Sequence, residues 1–207
     1  MIAIIDYGMG NVQSVYNTLD YIGEEAIVTS NQKEIGDASH IILPGVGAFC
    51  DAMESLKSRG LIELLNKQVL EKGKPFLGVC LGMQLLAKIG YEHGISEGLG
   101  WFDAEVSKFD FTEKEKMKIP HVGWDDIILK DQHPMFNKLK EGEFTFYFVH
   151  SYHMVCKDQK DVVATCDYGY EFVSVVAKGN IFATQFHPEK SQQNGLQIIE
   201  NFVNWKG

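Results

Sequence analysis

Short apolar runs alternate with longer amphipathic stretches through the first half of the chain. Residues 2–6, 26–29, 40–43 and 75–79 are apolar runs bounded by turn-forming residues, as in strands buried on both faces. Between them, residues 11–22, 48–57, 61–72 and 83–89 space their apolar positions as helices do. This alternation predicts βαβ units and a parallel sheet. Beyond residue 100 the pattern changes to successive strands at 101–109, 121–129, 144–149, 162–166, 171–177 and 181–185, closed by a helix at 192–205. The second half is therefore expected to add antiparallel strands to the sheet. No repeat or low-complexity linker interrupts the pattern, and one domain over 1–207 is the expectation.

Composition narrows the classes. With 45% hydrophobic and 23% charged residues, the chain has the make-up of a packed globular protein and not of a disordered one. Its formal charge of −9 and its lack of a basic cluster longer than the mixed stretch at 113–118 argue against nucleic acid as a partner. The Glu-Lys-Glu-Lys run at 113–116 reads as a solvated loop or hairpin. The opening apolar residues stop at Asp6 with no basic lead, which suits a buried strand and not a signal peptide. No run approaches the ~18 apolar residues of a membrane helix, so no membrane is expected. Cys50, Cys80, Cys156 and Cys166 lie far apart without a Cys-x-x-Cys pair, which indicates neither a zinc knuckle nor a disulfide framework and suits a reducing cytoplasm.

Chemistry concentrates in a few motifs. In Gly78-Val79-Cys80-Leu81-Gly82 an apolar strand runs into a helix through Gly-x-Cys-x-Gly, the form of a nucleophile elbow. Flanking glycines permit the sharp turn, and a thiol at a helix N-terminus is poised as thiolate. A buried, inert cysteine is the alternative for this segment alone. Near the other end, His187 and Glu189 follow the strand at 181–185. Two apart in an extended segment, they would project to one side, so that the carboxylate orients the imidazole toward a nucleophile. The order nucleophile, His, acid differs from that of α/β-hydrolases. Pro44-Gly45-Val46-Gly47 ends a strand with a turn able to aim a backbone N–H at an oxyanion. Gly8-Met9-Gly10-Asn11 lacks the third glycine of a dinucleotide fingerprint, position 13 being Gln.

Together with Pro120-His-Val-Gly-Trp124, Tyr147-Phe-Val-His-Ser-Tyr152 and Phe186-His-Pro-Glu-Lys-Ser191, these motifs make the chain resemble the glutaminase subunits of imidazole glycerol phosphate synthase, within the class I (triad) glutamine amidotransferases. The likeness runs from Asp6–Asn11 to the terminal helix. It implies an α/β, flavodoxin-like three-layer domain with a mixed central sheet. It also implies that Cys80 attacks the carboxamide of L-glutamine, His187 shuttles protons and Glu189 orients His187. The turn at Gly45, Val46 and Gly47 would supply the oxyanion donor, and Gln84, Glu92, His150, Ser151 and Tyr152 would hold the ends of glutamine. Met9, Asn11, Ser14 and Trp124 fall where the family meets a cyclase subunit with a (βα)₈ barrel, with which it forms a heterodimer and to which it passes ammonia. No cofactor and no metal are implied.

Two positions depart from the family's pattern: Asp125 stands where Asn is expected, and Gly98–Phe102 carries an aromatic where the family more often has aliphatics. A related amidotransferase feeding a sugar-amidinating enzyme therefore stays open, as do a cysteine hydrolase, a small-molecule binding module and a non-catalytic chaperone of the same fold. His150 and His153, three apart on a strand, face opposite ways and do not suit a shared metal. His40, His93, His121 and His133 are expected to be structural.

Overall fold

A computed structural model describes residues 1–111, 117–139 and 144–207. The charged run at 113–116 lies outside them. In chain order the first half comprises β1 (Ile2–Ile5), α1 (Val12–Tyr21), β2 (Ala26–Thr29), α2 (Gln32–Asp37), β3 (His40–Gly45), α3 (Phe49–Ser58) and α4 (Leu61–Leu65), which continues as a π-helical turn, then β4 (Phe76–Cys80) and α5 (Leu81–Gln84). The second half comprises β5 (Ile89–Gly90), β6 (Ser96–Glu97), β7 (Ala104–Lys108), β8 (His121–Leu129), β9 (Thr145–His150), β10 (Tyr152–Cys156), β11 (Val162–Asp167), β12 (Glu171–Lys178), β13 (Ile181–Thr184) and α6 (Gln192–Asn204).

Nine strands form one sheet in the order β2-β1-β3-β4-β13-β12-β11-β8-β9. The first five run parallel and the rest join antiparallel, giving the mixed sheet that the sequence predicts. β1 shows why both faces must be covered: Ile2 and Ile4 pack with Val15, Leu19, Ile198 and Phe202 under α1 and α6, while Ala3 and Ile5 pack with Ile35, Phe49, Leu56 and Leu65 under α2, α3 and α4. No helix among the described residues is long and apolar enough to cross a membrane.

Two expectations need correction. The segment at 101–109 does not join the main sheet: β7 belongs to a second, four-stranded sheet, β10-β7-β5-β6. The helix expected at 83–89 stops after one turn, because the carbonyls of Leu85, Leu86 and Ala87 accept instead from the N–H groups of Leu99, Phe102 and Gly100. The Gly98–Phe102 segment thereby takes the hydrogen bonds that would have extended α5, and Trp101 buries its ring edge-on against Phe76.

Candidate active site

The carboxyl ends of three adjacent parallel strands, β3, β4 and β13, meet at one place. In such sheets this is where ligands bind. Cys80 closes β4 at φ 54°, ψ −108°, a conformation that L-residues avoid. Glycines hold it there. A methyl group on Gly82 would sit 1.9 Å from the Leu43 carbonyl oxygen, and one on Gly78 would sit 2.9 Å from the Gly82 oxygen. The elbow therefore forms by backbone packing that no larger residue permits, and Cys80 is its strained apex.

His187 and Glu189 follow β13. Their side chains are 2% exposed, and His187 Nδ1 lies 2.8 Å from Glu189 Oε1. The pairing expected from extended geometry arises differently: Pro188–Lys190 forms a 3₁₀ turn that folds the carboxylate back onto the ring. Ser191 clamps the turn, donating to the His187 carbonyl at 2.6 Å and accepting from the Tyr147 N–H at 3.0 Å. His187 Nε2 has no hydrogen-bond partner within ordinary distance. Burial pulls the imidazole down, yet the neighbouring Cys80 charge and the Glu189 carboxylate outweigh it and raise His187 to about 10. Cys80 raises the ring chiefly as a nearby charge, and Nε2, which faces no closer partner, is the nitrogen free to engage the sulfur. Such contacts tighten when substrate is bound.

A second chain of contacts ends on the same sulfur. The Tyr152 carbonyl can accept only, so Gln84 must present its Nε2 there, at 2.8 Å. The same Nε2 donates to Gln185 Oε1 at 3.0 Å, which leaves Gln185 Nε2 to donate to Cys80 Sγ at 3.6 Å. Gln185 is fully buried. Sequence reasoning missed it, although it opens the Gln-Phe-His-Pro-Glu segment. These contacts reach the sulfur at a helix end that, at four residues, carries little dipole.

A cavity of about 280 Å³ opens on the thiol, lined by Val46, Gly47, Cys80, Leu81, Gln84, Glu92, Val149, His150, Ser151, Tyr152 and His187. That size suits one small molecule. The cavity brings together every residue that the resemblance assigned to glutamine, and two of the three in the oxyanion turn. Gly45 lies just behind, paired in register with Cys80, where a methyl group would meet the Tyr7 hydroxyl at 2.6 Å. Space requires glycine at 45; at Gly47 it is the backbone, with φ +107°. Glu92 also accepts from the Phe49 N–H at 2.8 Å, capping α3.

The residues assigned to a partner surface divide. Trp124 is 45% exposed on β8 beside the exposed Val122, and its ring meets Tyr147 edge-on. Met9 is half-buried against Gly47. Asn11 accepts from the Ser14 N–H as the cap of α1. The other cysteines are unsuited to nucleophilic work: burial, with nearby acids, pushes Cys156 and Cys166 up to about 12, and Cys50 is also raised, by desolvation and by Asp51. His150 and His153 do not face opposite ways along one strand, since one ends β9 and the other lies in β10 and both rings pack on Phe109 and Phe172; their nitrogens nonetheless take separate partners, His121 and Tyr170. No group of His, Cys, Asp or Glu among the described residues could hold a metal.

This sheet, with a thiol elbow beside a His–Glu pair, is the architecture of the triad amidotransferases, and the family described as Glutamine amidotransferase class-I matches residues 3–205. Imidazole glycerol phosphate synthase subunit HisH 2 of Nitrobacter winogradskyi is 49% identical over 99% of this chain and 98% of its own length. Subunit HisH of Bacillus cereus is 50% identical over 98% of this chain and 93% of its own. The chain belongs to the class I glutamine amidotransferase family, among the HisH subunits. Solved structures share the fold at lower identity. PurLQS from Thermotoga maritima superposes with a TM-score of 0.73 at 21% identity, covering 98% of this chain and 97% of that one. A glutamine amidotransferase from the same organism gives 0.63 at 19% identity, covering 98% and 82%.

Proposed function

We propose that this chain is the glutaminase subunit of an imidazole glycerol phosphate synthase, hydrolysing L-glutamine and passing ammonia to a (βα)₈-barrel cyclase that makes imidazole glycerol phosphate and AICAR in histidine biosynthesis. The observation that carries the reading is the convergence of Cys80 and His187 on a cavity the size of one amino acid, with Glu189 held against the far nitrogen of His187 at 2.8 Å. Cys80 thiolate attacks the side-chain carboxamide carbon. The resulting oxyanion is met by the N–H of Leu81, which follows the nucleophile, and by a peptide of the Gly45–Gly47 turn. The His187 imidazolium protonates the leaving nitrogen, ammonia departs, and a γ-glutamyl thioester remains. Neutral His187 then takes a proton from water, hydroxide attacks the thioester, and glutamate leaves as the Cys80 thiolate and the His187 imidazolium are restored.

The exposed Val122 and Trp124, with Met9 resting on Gly47, support a docking face beside the site. A second acceptor is favoured by one observation: Asp125, next to Trp124, replaces the expected Asn, which suits a partner other than the cyclase, such as a sugar-amidinating enzyme. The test is glutamine hydrolysis by this chain alone and with each candidate partner. Stimulation by the cyclase with its nucleotide ligand supports the histidine pathway, and stimulation by a sugar-modifying partner alone reassigns it.

A further inference from the structure

The strands β8 and β9 set His121 directly opposite His150, and a buried chain of contacts runs through the pair. At one end, Asp125 Oδ2 lies 2.6 Å from His121 Nε2. In the middle, His121 Nδ1 lies 3.1 Å from His150 Nε2. At the other, His150 Nδ1 lies 2.8 Å from the Tyr152 carbonyl, the same oxygen that orients Gln84 and, through Gln185, the Cys80 thiol. His121 is fully buried, and the Asp125 side chain is 38% exposed beside Trp124.

The protons in this chain can be counted. An ionised carboxylate and a carbonyl both only accept, so each end must receive an N–H from its imidazole. Two neutral rings carry one N–H each, and both are then used at the ends. Two lone pairs would be left facing each other at 3.1 Å in the interior. A third proton closes all three contacts, and with the Asp125 carboxylate the assembly is neutral.

We propose that Asp125, His121 and His150 form a positioning relay that fixes the Tyr152 carbonyl behind the glutamine pocket, and that it is closed by one proton more than two neutral imidazoles carry, held mainly on His121. The inference rests on the reading of the pocket as a glutamine site. Asn at 125 would need no such proton, because its amide donates to His121 Nε2 and the two neutral rings supply the other two hydrogen bonds. The departure from the family's pattern therefore changes the proton content of a network that ends at the nucleophile.

The charge sits on His121 and not on His150. Burial drives His150 down to about 3, and the like charges of His121, His153 and His187 add to that. Burial also lowers His121, Asp125 offsets part of it, and the contact with His150, which only a proton completes, acts in the same direction as Asp125. Tyr168 stacks on the His121 ring with centroids 3.9 Å apart, and among the described residues Tyr168 and Cys166 both feel the Asp125 charge, Cys166 also that of Asp126 and Asp167. None of these can supply the missing donor between the two rings.

Nuclear magnetic resonance of the ¹⁵N-histidine-labelled full chain at pH 7.5 reads the count directly. His121 should show both ring nitrogens protonated and His150 one, whereas Asp125→Asn should show two neutral rings. Asn matches Asp in shape, and position 125 is partly exposed, so the substitution changes the donor and the charge without adding bulk. Glutamine affinity is measured beside it, in a Cys80→Ser background that prevents turnover. It should weaken about five- to tenfold as pH rises and the relay loses its proton, the loss of one hydrogen bond's worth of positioning, and should stay flat with Asp125→Asn. Two neutral rings in the unsubstituted chain, or the same ring pattern in both proteins, would overturn the proton count. The expected rings without glutamine binding at any pH would overturn the positioning role and the reading of the pocket, with the count still supported.

Discussion

Gln185 Nε2 points at Cys80 Sγ across 3.6 Å, and its direction is dictated from the far side of the pocket by the Tyr152 carbonyl acting through Gln84. An N–H aimed at the sulfur stabilises thiolate over thiol. Replacing Gln185 by Met removes the donor at similar volume and should lower kcat/KM for glutamine about 10- to 100-fold, the range for a hydrogen bond to a charged group. Gln185→Glu, which turns a carboxylate on the sulfur, should cost more. The pH dependence of Cys80 alkylation checks both, and an unshifted profile in the two variants would remove Gln185 from the mechanism.

Selective labelling follows from the contrast among the four thiols. A glutamine-like diazo-ketone should modify Cys80 and spare Cys156 and Cys166, which burial holds near 12, and Cys50, also raised. Peptide mapping by mass spectrometry reads the result; equal labelling of all four would end the case for an activated thiolate.

Glu189 offers one oxygen to His187 while its other, Oε2, is buried without a partner. In Glu189→Gln the amide oxygen keeps the contact with Nδ1–H, but the NH₂ enters a place with no acceptor and the imidazolium loses its countercharge. A fall of about 10²-fold or more in kcat is expected, smaller than that for His187→Ala. Steady-state kinetics of the two variants decide it.

The His187 shift also has a sign that can be tested. Its value of about 10 in the folded chain exceeds that of a free imidazole, so folding binds this proton more tightly. The stability it contributes is complete below about pH 6.5 and is lost as pH rises to about 10. Cys80→Ser removes the thiolate charge and should move the His187 titration down, as followed by the ring resonances. An unchanged titration would show that Cys80 does not hold the charge.

Much of this was legible in the residues, and the failures have physical causes. β1 through β4 are continuous apolar runs, so their place in a covered parallel sheet could be read directly. The elbow glycines and the His-Pro-Glu turn are local, and local spacing reveals them. The helix expected at 83–89 failed because Met83, Leu85, Leu86 and Ala87 are buried on all sides, which blurs any period, and because the segment at 99–102 claims their carbonyls. The second sheet was missed because β5 and β6 are two residues each and because β7 pairs with β10, far along the chain. Gln185, Ser191 and His121 gain their meaning from strands that only the sheet's register brings alongside, and no spacing in one sequence carries that information.

Gly47 holds φ +107° where a methyl group would meet Met9 Cε at 2.7 Å. Gly45 behind it is pinned by Tyr7 and Leu81, so any reorientation of the turn must fall on the Val46–Gly47 peptide. Val46 is 42% exposed on the cavity rim, and Met9 links the turn to a surface assigned to the partner. A partner pressing on Met9 can therefore bias which way that peptide N–H points. One oriented oxyanion donor contributes about 10²–10³ in rate, enough to account for much of a switch. The bias arises only if the partner's ligand prefers the donor-forming state, since equal affinity for both states shifts nothing. Gly47→Ala should then abolish stimulation by the partner and its ligand, lowering stimulated hydrolysis about 10²–10³-fold, while diazo-ketone labelling of Cys80 persists. Hydrolysis is compared in the chain alone, with the partner, and with partner plus ligand. A rate that stays constant across all three in the unsubstituted chain would sink the switch and leave the Cys80–His187–Glu189 chemistry standing.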